Sequence, residues 1–201
     1  GESLQLYPLW AEPGSCAYTS GVPSPDGAPP VPTATPVPTP TIAAGQLLLT
    51  EVFYQGACRD EWVEIVNRST AVVPLAGLQL SDGVSAQALD GVLAPGEVLV
   101  VRGLEGAVTP GCGAALWSAP EACMAIRLAD DGDSVALVDG VRELDRVEYG
   151  PMPAVPLAPS GQSLARLLLP DGTLGPWSAS MPGPGCLQQA PSPTATVTVT
   201  A

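Results

Sequence analysis

Acidic side chains are the residues of this sequence that are best suited to chemistry. Glu51, Asp60, Glu61 and Glu64 form the densest acidic group within segments that alternate as strands do. Two carboxyl groups about 5 to 9.5 Å apart could act as acid and base on a glycoside, or could hold a cation together. Solvated strand faces explain the same residues, with Glu51 or Glu64 paired to Arg166. We favour this second interpretation because surface ion pairs are common and weak.

A second acidic group lies in the stretch "DDGDS". Asp130, Asp131 and Asp133 could gather a Ca²⁺ ion, because hard cations prefer several carboxylate oxygens. Their spacing lacks the order of an EF-hand, and an Asp-Gly pair between two strands predicts a hairpin turn. We therefore predict a turn here, and we assign no metal ion, cofactor or catalytic residue to the chain.

The basic residues restrict the function further. The net charge is -13, from 20 acids and seven bases, and all seven bases are Arg because the sequence has neither Lys nor His. Nucleophilic Ser or Cys sites normally need a His, a Lys or a terminal amine, and zinc sites usually need His or clustered Cys. Nucleic acids bind mainly through cationic side chains. We expect a protein that is not an enzyme and that does not bind nucleic acid.

The five cysteines are widely spaced and contain no CxxC pair; they are Cys16, Cys58, Cys112, Cys123 and Cys186. This spacing favours disulfides in an oxidising compartment over a metal site. Cys112 and Cys123 bracket a short loop, and a bridge between them would contribute about 3 kcal/mol. We predict that pair first. An odd number of cysteines leaves one without a partner. It could be a buried thiol, it could bond another subunit, or its partner could lie in a missing part of the chain.

Composition divides the chain into four segments. Residues 1–28 form an N-terminal extension with one short strand, and residues 29–44 are a Pro/Thr-rich linker that is extended as polyproline II. Residues 45–187 are a β-sandwich domain, and residues 188–201 are a Pro/Thr tail. Threonines in such stalks are often glycosylated in secreted proteins. The predicted O-glycosylation sites are Thr33, Thr35, Thr39, Thr41 and Thr194.

The central segment is a succession of short alternating runs separated by Gly, Pro and Asp, which predicts an all-β fold. The runs are "QLLLTEVFY", "EWVEIVN", "AVVPL", "GLQLSD", "GEVLVVR", "MAIRLA", "DSVALVD", "LDRVEYG", "QSLARLL" and "WSAS". In the second run, Val63 and Ile65 share one face while Trp62 and Glu64 share the other, so we expect a half-buried strand. Pro74 indicates an edge or a bulge.

The order of these motifs carries a family resemblance. "LLLTEVFY", "DEWVEIVN", "PLAGLQLSDG", "LAPGEVLVV", "LADDGDSVALVD", "LDRVEYG", "SLAR" and "WSASMPGPG" together resemble the lamin tail domain family in its extracellular prokaryotic form. The resemblance covers about residues 46–186. It implies an immunoglobulin-like sandwich of two antiparallel sheets, and prokaryotic members look like non-catalytic modules of secreted and surface proteins. The chain departs from the family at Leu78, where Trp is frequent, and at the loop from Cys112 to Cys123.

The two ends of the chain could join it to other chains. The tail segment "TATVTVT" alternates β-branched residues without charge, as a strand that adds to a sheet edge does. "ESLQLYPLW" at the front is a second such strand. The predicted subunit contacts are Thr196, Val197, Thr198, Val199, Thr200, Leu4 and Leu6. Head-to-tail strand addition does not close, so it would generate a filament.

Two functions remain. The first is a non-catalytic structural subunit of an extracellular filament or cell-surface assembly, whose partners are other copies of itself or surface proteins. The second is a stalked binding module for a glycan or a protein, which needs an exposed aromatic patch from Trp10, Trp117 or Trp177, although we expect Trp177 in the core. The chain starts without Met and has no apolar run of about 18 residues. We therefore expect a secreted or surface-displayed chain with no membrane span.

Overall fold

The structure is a computed structural model, and it describes residues 42–151 and 155–191. Twelve β-strands account for the regular structure of these residues, among which there is no helix. The strands are β1 Leu47–Phe53, β2 Trp62–Asn67, β3 Val73–Pro74, β4 Leu78–Ser81, β5 Ala86–Ala88, β6 Val92–Leu93, β7 Val98–Arg102, β8 Ala115–Ser118, β9 Asp133–Asp139, β10 Arg142–Tyr149, β11 Ser163–Leu168 and β12 Leu174–Ser180. None of the described residues forms a helix long and apolar enough to cross a membrane.

The strands form two main sheets. The six-stranded sheet has the order β12-β11-β1-β2-β7-β8, and the four-stranded sheet has the order β10-β9-β4-β5. Strands β3 and β6 form a separate two-stranded ribbon. Every pair is antiparallel except β7 with β8. The immunoglobulin-like β-sandwich that the motifs imply is confirmed.

Aliphatic side chains of both main sheets meet in one core. The largest fully buried side chains are Tyr54, Tyr149, Leu47, Leu49, Ile65, Leu75, Leu78, Leu80, Leu93, Ile126, Leu137 and Leu164. Ile42 already belongs to this core. Pro74 lies in β3, whose ribbon has only edge strands, so the predicted edge position is confirmed.

A β-bulge in β1 sets the faces of the six-stranded sheet. Leu49 lies opposite Ile65, and the next paired residue of β1 is Glu51, which lies opposite Glu64. Thr50 is therefore the extra residue, and Val52 returns to the core after it. The bulge places Glu51 and Glu64 directly opposite each other on the face that points away from the core.

Strand β2 is buried on both faces, so the prediction of a half-buried strand was wrong. All six residues from Trp62 to Asn67 are buried. The reason is that the outer face of the six-stranded sheet, which alternation alone assigns to solvent, is covered by another part of the chain.

Nine of the ten predicted runs contain a strand, and the run "MAIRLA" does not. Met124, Ile126 and Leu128 do alternate into the core. Backbone N–H groups of this run donate to side chains instead of to a strand. Ala125 donates to Gln87 Oε1 at 2.8 Å, Arg127 to Asp82 Oδ2 at 3.0 Å, and Leu128 to Glu61 Oε2 at 3.4 Å. Strands β5, β6 and β8 were missed because each has only two to four residues.

The described chain enters and leaves at one end of the sandwich. Arg68 follows β2 and donates its backbone N–H to Gln46 O, while its guanidinium bonds Gly172 O in the β11–β12 turn. At the same end, Leu168 N–H donates to Gln188 O and Ala190 N–H donates to Leu168 O. Gln46 and residues 188–190 therefore lie at the same end of the domain.

Candidate functional site: a covered carboxyl pair

Glu51 and Glu64 form a buried carboxyl pair on adjacent strands. Each residue is 1% exposed. Thr50 Oγ1 donates to Glu64 Oε1 at 2.5 Å, and Ser163 Oγ of β11 donates to Glu51 Oε1. Hydroxyl groups of the sheet itself thus bind one oxygen of each carboxyl group.

The segment that covers the pair is residues 181–190, which we call the cover segment. Its Gly183 N–H donates to Glu51 Oε1 at 3.1 Å, and its Gly185 N–H donates to Glu64 Oε2 at 2.7 Å. The Gln188 side-chain amide donates to Glu51 Oε1 at 3.1 Å. The two glutamates are therefore the acceptors that satisfy backbone groups of a segment with little regular structure.

A disulfide and a glycine fix the cover segment in place. Cys186 is bonded to Cys112, and Gly111 N–H donates to Pro184 O at 2.8 Å. Gly185 has a φ of +84°, and a Cβ at this position would lie 2.7 Å from Gly111 O. Residue 185 must be glycine both for its backbone conformation and for this close approach.

Burial controls the ionisation of the pair. Desolvation raises the pKa of Glu64 to about 7, and the nearby charge of Glu51 adds to the increase, while the hydrogen bonds from Thr50 and Gly185 oppose it. Desolvation likewise raises the pKa of Glu51 against the hydrogen bonds from Ser163, Gly183 and Gln188. Glu51 Oε2 is buried and has no hydrogen-bond partner among the described residues. The pair therefore favours the protonated state more strongly than exposed glutamates do.

This geometry changes the interpretation of the predicted acidic group. The expectation that Glu51 and Glu64 lie on a solvated face and pair with Arg166 was wrong. Arg166 Nη1 bonds Asp145 Oδ2 at 2.9 Å, and its guanidinium lies 5.1 Å from the ring centroid of Trp177. At 1% exposure the two carboxyl groups cannot contact a substrate. They accept hydrogen bonds from the protein's own donors instead.

Glu61 and Asp60 belong elsewhere. Glu61 is 5% exposed, so the expectation of a solvated side chain was wrong for it as well. Its carboxylate accepts from Leu128 N–H, and desolvation raises its pKa to about 7. Asp60 is exposed. The four acids that are close in sequence therefore do not form one site.

The disulfides differ from the predicted pairing. Cys112 is bonded to Cys186 and Cys58 to Cys123, with Cα–Cα distances of 5.3 and 5.4 Å. The predicted bridge between Cys112 and Cys123 was wrong because the loop between them contains β8, which runs along β7 and separates the two residues. Cys16 lies outside the described residues.

The stretch "DDGDS" contains the predicted turn. Gly132 N–H bonds Ala129 O at 3.4 Å, and Asp133 accepts from Ala129 N–H and from Ser134 N–H at 3.0 and 2.7 Å. The turn does not form a hairpin, because residues 124–129 before it are not a strand. Within residues 42–151 and 155–191, no three acidic, His or Cys side chains are grouped so that they could hold a metal ion.

The remaining predicted sites fall into two groups. Trp117 and Trp177 are partly buried and pack against the core, as expected for Trp177. The predicted subunit contacts, the predicted glycosylation sites and Trp10 all lie outside the residues that the structure describes.

Comparison with known proteins agrees with the fold. A sequence model of the Lamin Tail Domain family matches residues 40–151, which is more than half of the chain. Among curated proteins, none matches the chain. The match includes β1 to β10 and three of the four paired cysteines, while β11, β12 and the cover segment follow it. The chain belongs to the Lamin Tail Domain family.

Proposed function

We propose that this protein is a non-catalytic structural subunit of an extracellular filament or cell-surface assembly, and that a terminal strand of one copy adds to the sheet of another. The observation that carries the proposal is the outer edge of β12. This strand has seven residues and no charge, and among the described residues only β11 pairs with it. An uncharged open edge is the kind of surface to which an extended segment adds.

The other sheet edges are less suitable. Strand β10 carries five charged residues within its eight, and an inward-facing ion pair ties it to the six-stranded sheet. Strands β5 and β8 have only three and four residues. Charge and short length are the features by which proteins prevent strand addition. On β12, Gly175 and Pro176 lie at a bulge, which leaves residues 177–180 as the accessible stretch.

The cross-links support an extracellular role. Two disulfides join loops that are 65 and 74 residues apart in the chain, and such bonds persist in oxidising environments. They brace both ends of the six-stranded sheet and the cover segment. A subunit that transmits force or survives outside the cell gains from this bracing.

The alternative function is a stalked module that binds a glycan or a protein. Of these two ligands, a glycan has less support. That form needs exposed aromatic rings, and Trp117 and Trp177 both pack against the core. Trp62 is also buried, in stacked contact with Phe53 at 6.1 Å.

Strand addition can be tested on the full chain with one edge variant and one matched control. We expect the oxidised protein to form concentration-dependent oligomers by light scattering and fibres by electron microscopy. Ala179→Lys places a charge on β12, and Ala86→Lys places the same charge on the exposed end strand β5. The first variant should abolish assembly and the second should not.

Removal of residues 192–201 provides a second test. If the tail is the added strand, this deletion should abolish assembly as Ala179→Lys does. A full chain that stays monomeric at high concentration, or that assembles equally well with Ala179→Lys, would contradict the proposal. Oligomers that form without the tail but not with Ala179→Lys would instead assign the added strand to the N-terminal segment "ESLQLYPLW".

A further inference from the structure

The two disulfide bonds differ in how open their sulfur atoms are to a reagent. Cys112 is an exposed residue, whereas Cys186, Cys58 and Cys123 are each partly buried. The sulfur of Cys186 lies against the backbone of Gly111, where an added Cβ would be 2.9 Å from Cys186 Sγ. Thiolates attack a disulfide at the sulfur that they can reach. Cys112 Sγ is therefore the most accessible point of attack in the described part of the chain.

The backbone at Cys112 is strained. Its φ is +51°, and within residues 42–151 and 155–191 no other residue apart from glycines has a positive φ. A residue with a Cβ is disfavoured in this left-handed conformation. The strained residue lies in a turn, in which Ala114 N–H donates to Gly111 O at 3.0 Å. Cutting the bond to Cys186 therefore allows this turn to relax.

Little apolar burial holds the cover segment in place apart from the disulfide. Within residues 181–190 only Gly185 is buried, and Met181 is 70% exposed. Hydrogen bonds to the carboxyl pair and to Leu168 of β11 also hold the segment. Segments with few buried side chains open at a low cost in free energy. The cover segment therefore depends on its disulfide more than the sheet beneath it does.

The cover segment hides a second, smaller apolar layer. Val66, Val98 and Val100 are at most 8% exposed, yet they are not part of the core between the two sheets. Val98 lies opposite Val66 and Val100 lies opposite Glu64, so the three valines share the outer face with the carboxyl pair. Leu187 of the cover segment lines a small cavity together with Val66. Release of the cover segment would expose three valines beside two carboxyl groups.

The second disulfide joins a loop that is packed tightly without it. Next to Cys123, Leu104 N–H donates to Glu121 O at 2.7 Å. A Cβ on Gly103 would lie 2.6 Å from Cys123 Cα, so the two backbones are in direct contact. These contacts do not involve the sulfur atoms. Cys123 should therefore stay in place when its bond to Cys58 is cut.

We propose that the Cys112–Cys186 bond is a thiol-exchange site whose opening releases the cover segment while the sandwich stays folded. The reagent is a small thiol. Its thiolate attacks Cys112 Sγ and forms a mixed disulfide there, while the bond to Cys186 breaks and its electron pair leaves with Cys186 Sγ, which takes a proton from water. A second thiolate then attacks the mixed disulfide, which leaves both cysteines reduced and the two small thiols joined as a disulfide. Exposed or strained disulfides are the labile and regulatory ones.

The experiment treats the oxidised full chain with reduced glutathione in native buffer. Samples are alkylated at intervals, and peptide mass spectrometry identifies the modified cysteines. We expect glutathione on Cys112 and the alkyl group on Cys186, while the Cys58–Cys123 bond reacts at least about tenfold more slowly because access controls the rate. In concentrated urea the two bonds should react at rates within about threefold of each other, because unfolding makes both accessible.

Hydrogen exchange measures the release of the cover segment. After the reaction with glutathione, the amides of Gly183 and Gly185 should lose their protection, while those of Val63 and Ile65 in β2 should keep it. The variant Cys112→Ser/Cys186→Ser should show the same loss without any thiol.

Two control variants complete the design. Cys58→Ser/Cys123→Ser should keep the protection of the cover segment and should react at Cys112 within about twofold of the parent rate, because it leaves the Cys112–Cys186 bond intact. Cys16→Ser restricts the labelled thiols to those that the two bonds release.

Three results would overturn the proposal. Glutathione could react with the Cys58–Cys123 bond of the native protein as fast as with the Cys112–Cys186 bond. The mixed disulfide could form on Cys186 instead of on Cys112. The amides of Gly183 and Gly185 could stay protected after the bond is cut, which would show that hydrogen bonds alone hold the cover segment.

Discussion

The covered carboxyl pair and an open acidic cleft, which is lined by Asp131, Asp133 and Glu148, place the same kind of side chain in opposite environments. Glu51 and Glu64 lie in the middle of adjacent strands, and donors from the sheet and the cover segment surround them. Asp131 and Glu148 lie at a turn and near a strand end, where both are exposed. The first group faces the protein's own backbone and the second faces outward.

The difference shows that acid content alone does not indicate a functional surface. Carboxyl groups that accept from a closed segment are part of the fold, and their desolvation costs free energy that the hydrogen bonds offset only in part. Carboxyl groups at an open end keep their hydration, so they can exchange water for a partner. If the cover segment is released, Glu51 and Glu64 should become hydrated and behave as exposed acids do.

Breaking the bond that holds the cover segment is the strongest test of this comparison. Cys112→Ser/Cys186→Ser should lower the free energy of unfolding by about 4 kcal/mol, because the lost bond closes a long loop. Cys58→Ser/Cys123→Ser should cost about the same, since its loop is of similar length. Urea unfolding at pH 5 and at pH 8 measures both.

The two disulfide variants should differ in how stability depends on pH. Only the first frees the cover segment, so only the first should reduce the pH dependence that the buried pair produces. Equal pH dependence in the parent protein and in Cys112→Ser/Cys186→Ser would show that the carboxyl groups stay buried without the bond.

The pH dependence itself has a defined sign. The folded pKa of Glu64 is raised to about 7 from its ordinary value of 4.5, so the folded state holds this proton more tightly than the unfolded state does. The resulting stabilisation is complete below about pH 4.5 and is lost as the pH rises through about 7, a decrease of about 3 kcal/mol. Measurement of the free energy of unfolding from pH 4 to 8 should show a decrease of at least this size, because the pKa values of Glu61 and Glu51 are also raised by burial.

Glu64→Gln should remove the part of the decrease that Glu64 produces, because an amide resembles the protonated acid and does not titrate. The part that Glu61 produces should remain, because the pKa of that buried glutamate is also raised to about 7. The matched control is Glu97→Gln, which alters a less buried glutamate that accepts from Ala94 N–H. The control should keep the slope of the parent protein. Equal pH profiles in the parent protein and in Glu64→Gln would mean that Glu64 is ionised at no cost.

Comparison of a glycine in the cover segment with a glycine in an open turn distinguishes the effect of packing from the effect of backbone strain. Gly185 and Gly172 have φ values of +84° and +81°, but only Gly185 has close neighbours, with Gly111 O and Ala114 Cβ at 2.7 and 2.8 Å from the added Cβ. Both Gly→Ala variants should lose about 1 kcal/mol from the left-handed backbone. Gly185→Ala should lose about 2 kcal/mol more, because the cover segment must move away from the sheet. Equal thermal shifts in the two variants would contradict tight packing of this segment.

Much of the fold could be predicted from the sequence, because strand alternation and turn residues are local signals. The runs around Val63 and Val135 show period-two alternation bounded by Gly and Asp, and both are strands. The run "MAIRLA" shows the same alternation without a strand. Its N–H groups bond side chains of Asp82, Gln87 and Glu61, and contacts of that kind depend on residues far apart in the chain.

The covered pair could not be predicted, because its burial depends on residues more than 100 positions away. Glu51 and Glu64 read as exposed acids until Gly183 and Gly185 are placed over them. The available signal was the motif "PGPGC", in which glycines that allow close approach precede a cysteine that fixes the segment. The disulfide pairing was likewise out of reach, since proximity in sequence favoured Cys123 as the partner of Cys112.

Neutralising the acids of the open cleft should have the smallest effect on stability. Asp131→Asn/Glu148→Gln alters two exposed side chains, and the free energy of unfolding should change by no more than about 0.5 kcal/mol at pH 7. A slight increase is expected, because the net charge moves from -13 toward zero and self-repulsion falls. Urea unfolding of this variant and of Glu64→Gln, each against the parent protein, compares the two changes in the free energy of unfolding. If the cleft variant were destabilised by as much as 2 kcal/mol, its acids would also be internal acceptors, and the distinction between a covered pair that stabilises the fold and an open cleft whose acids do not would fail.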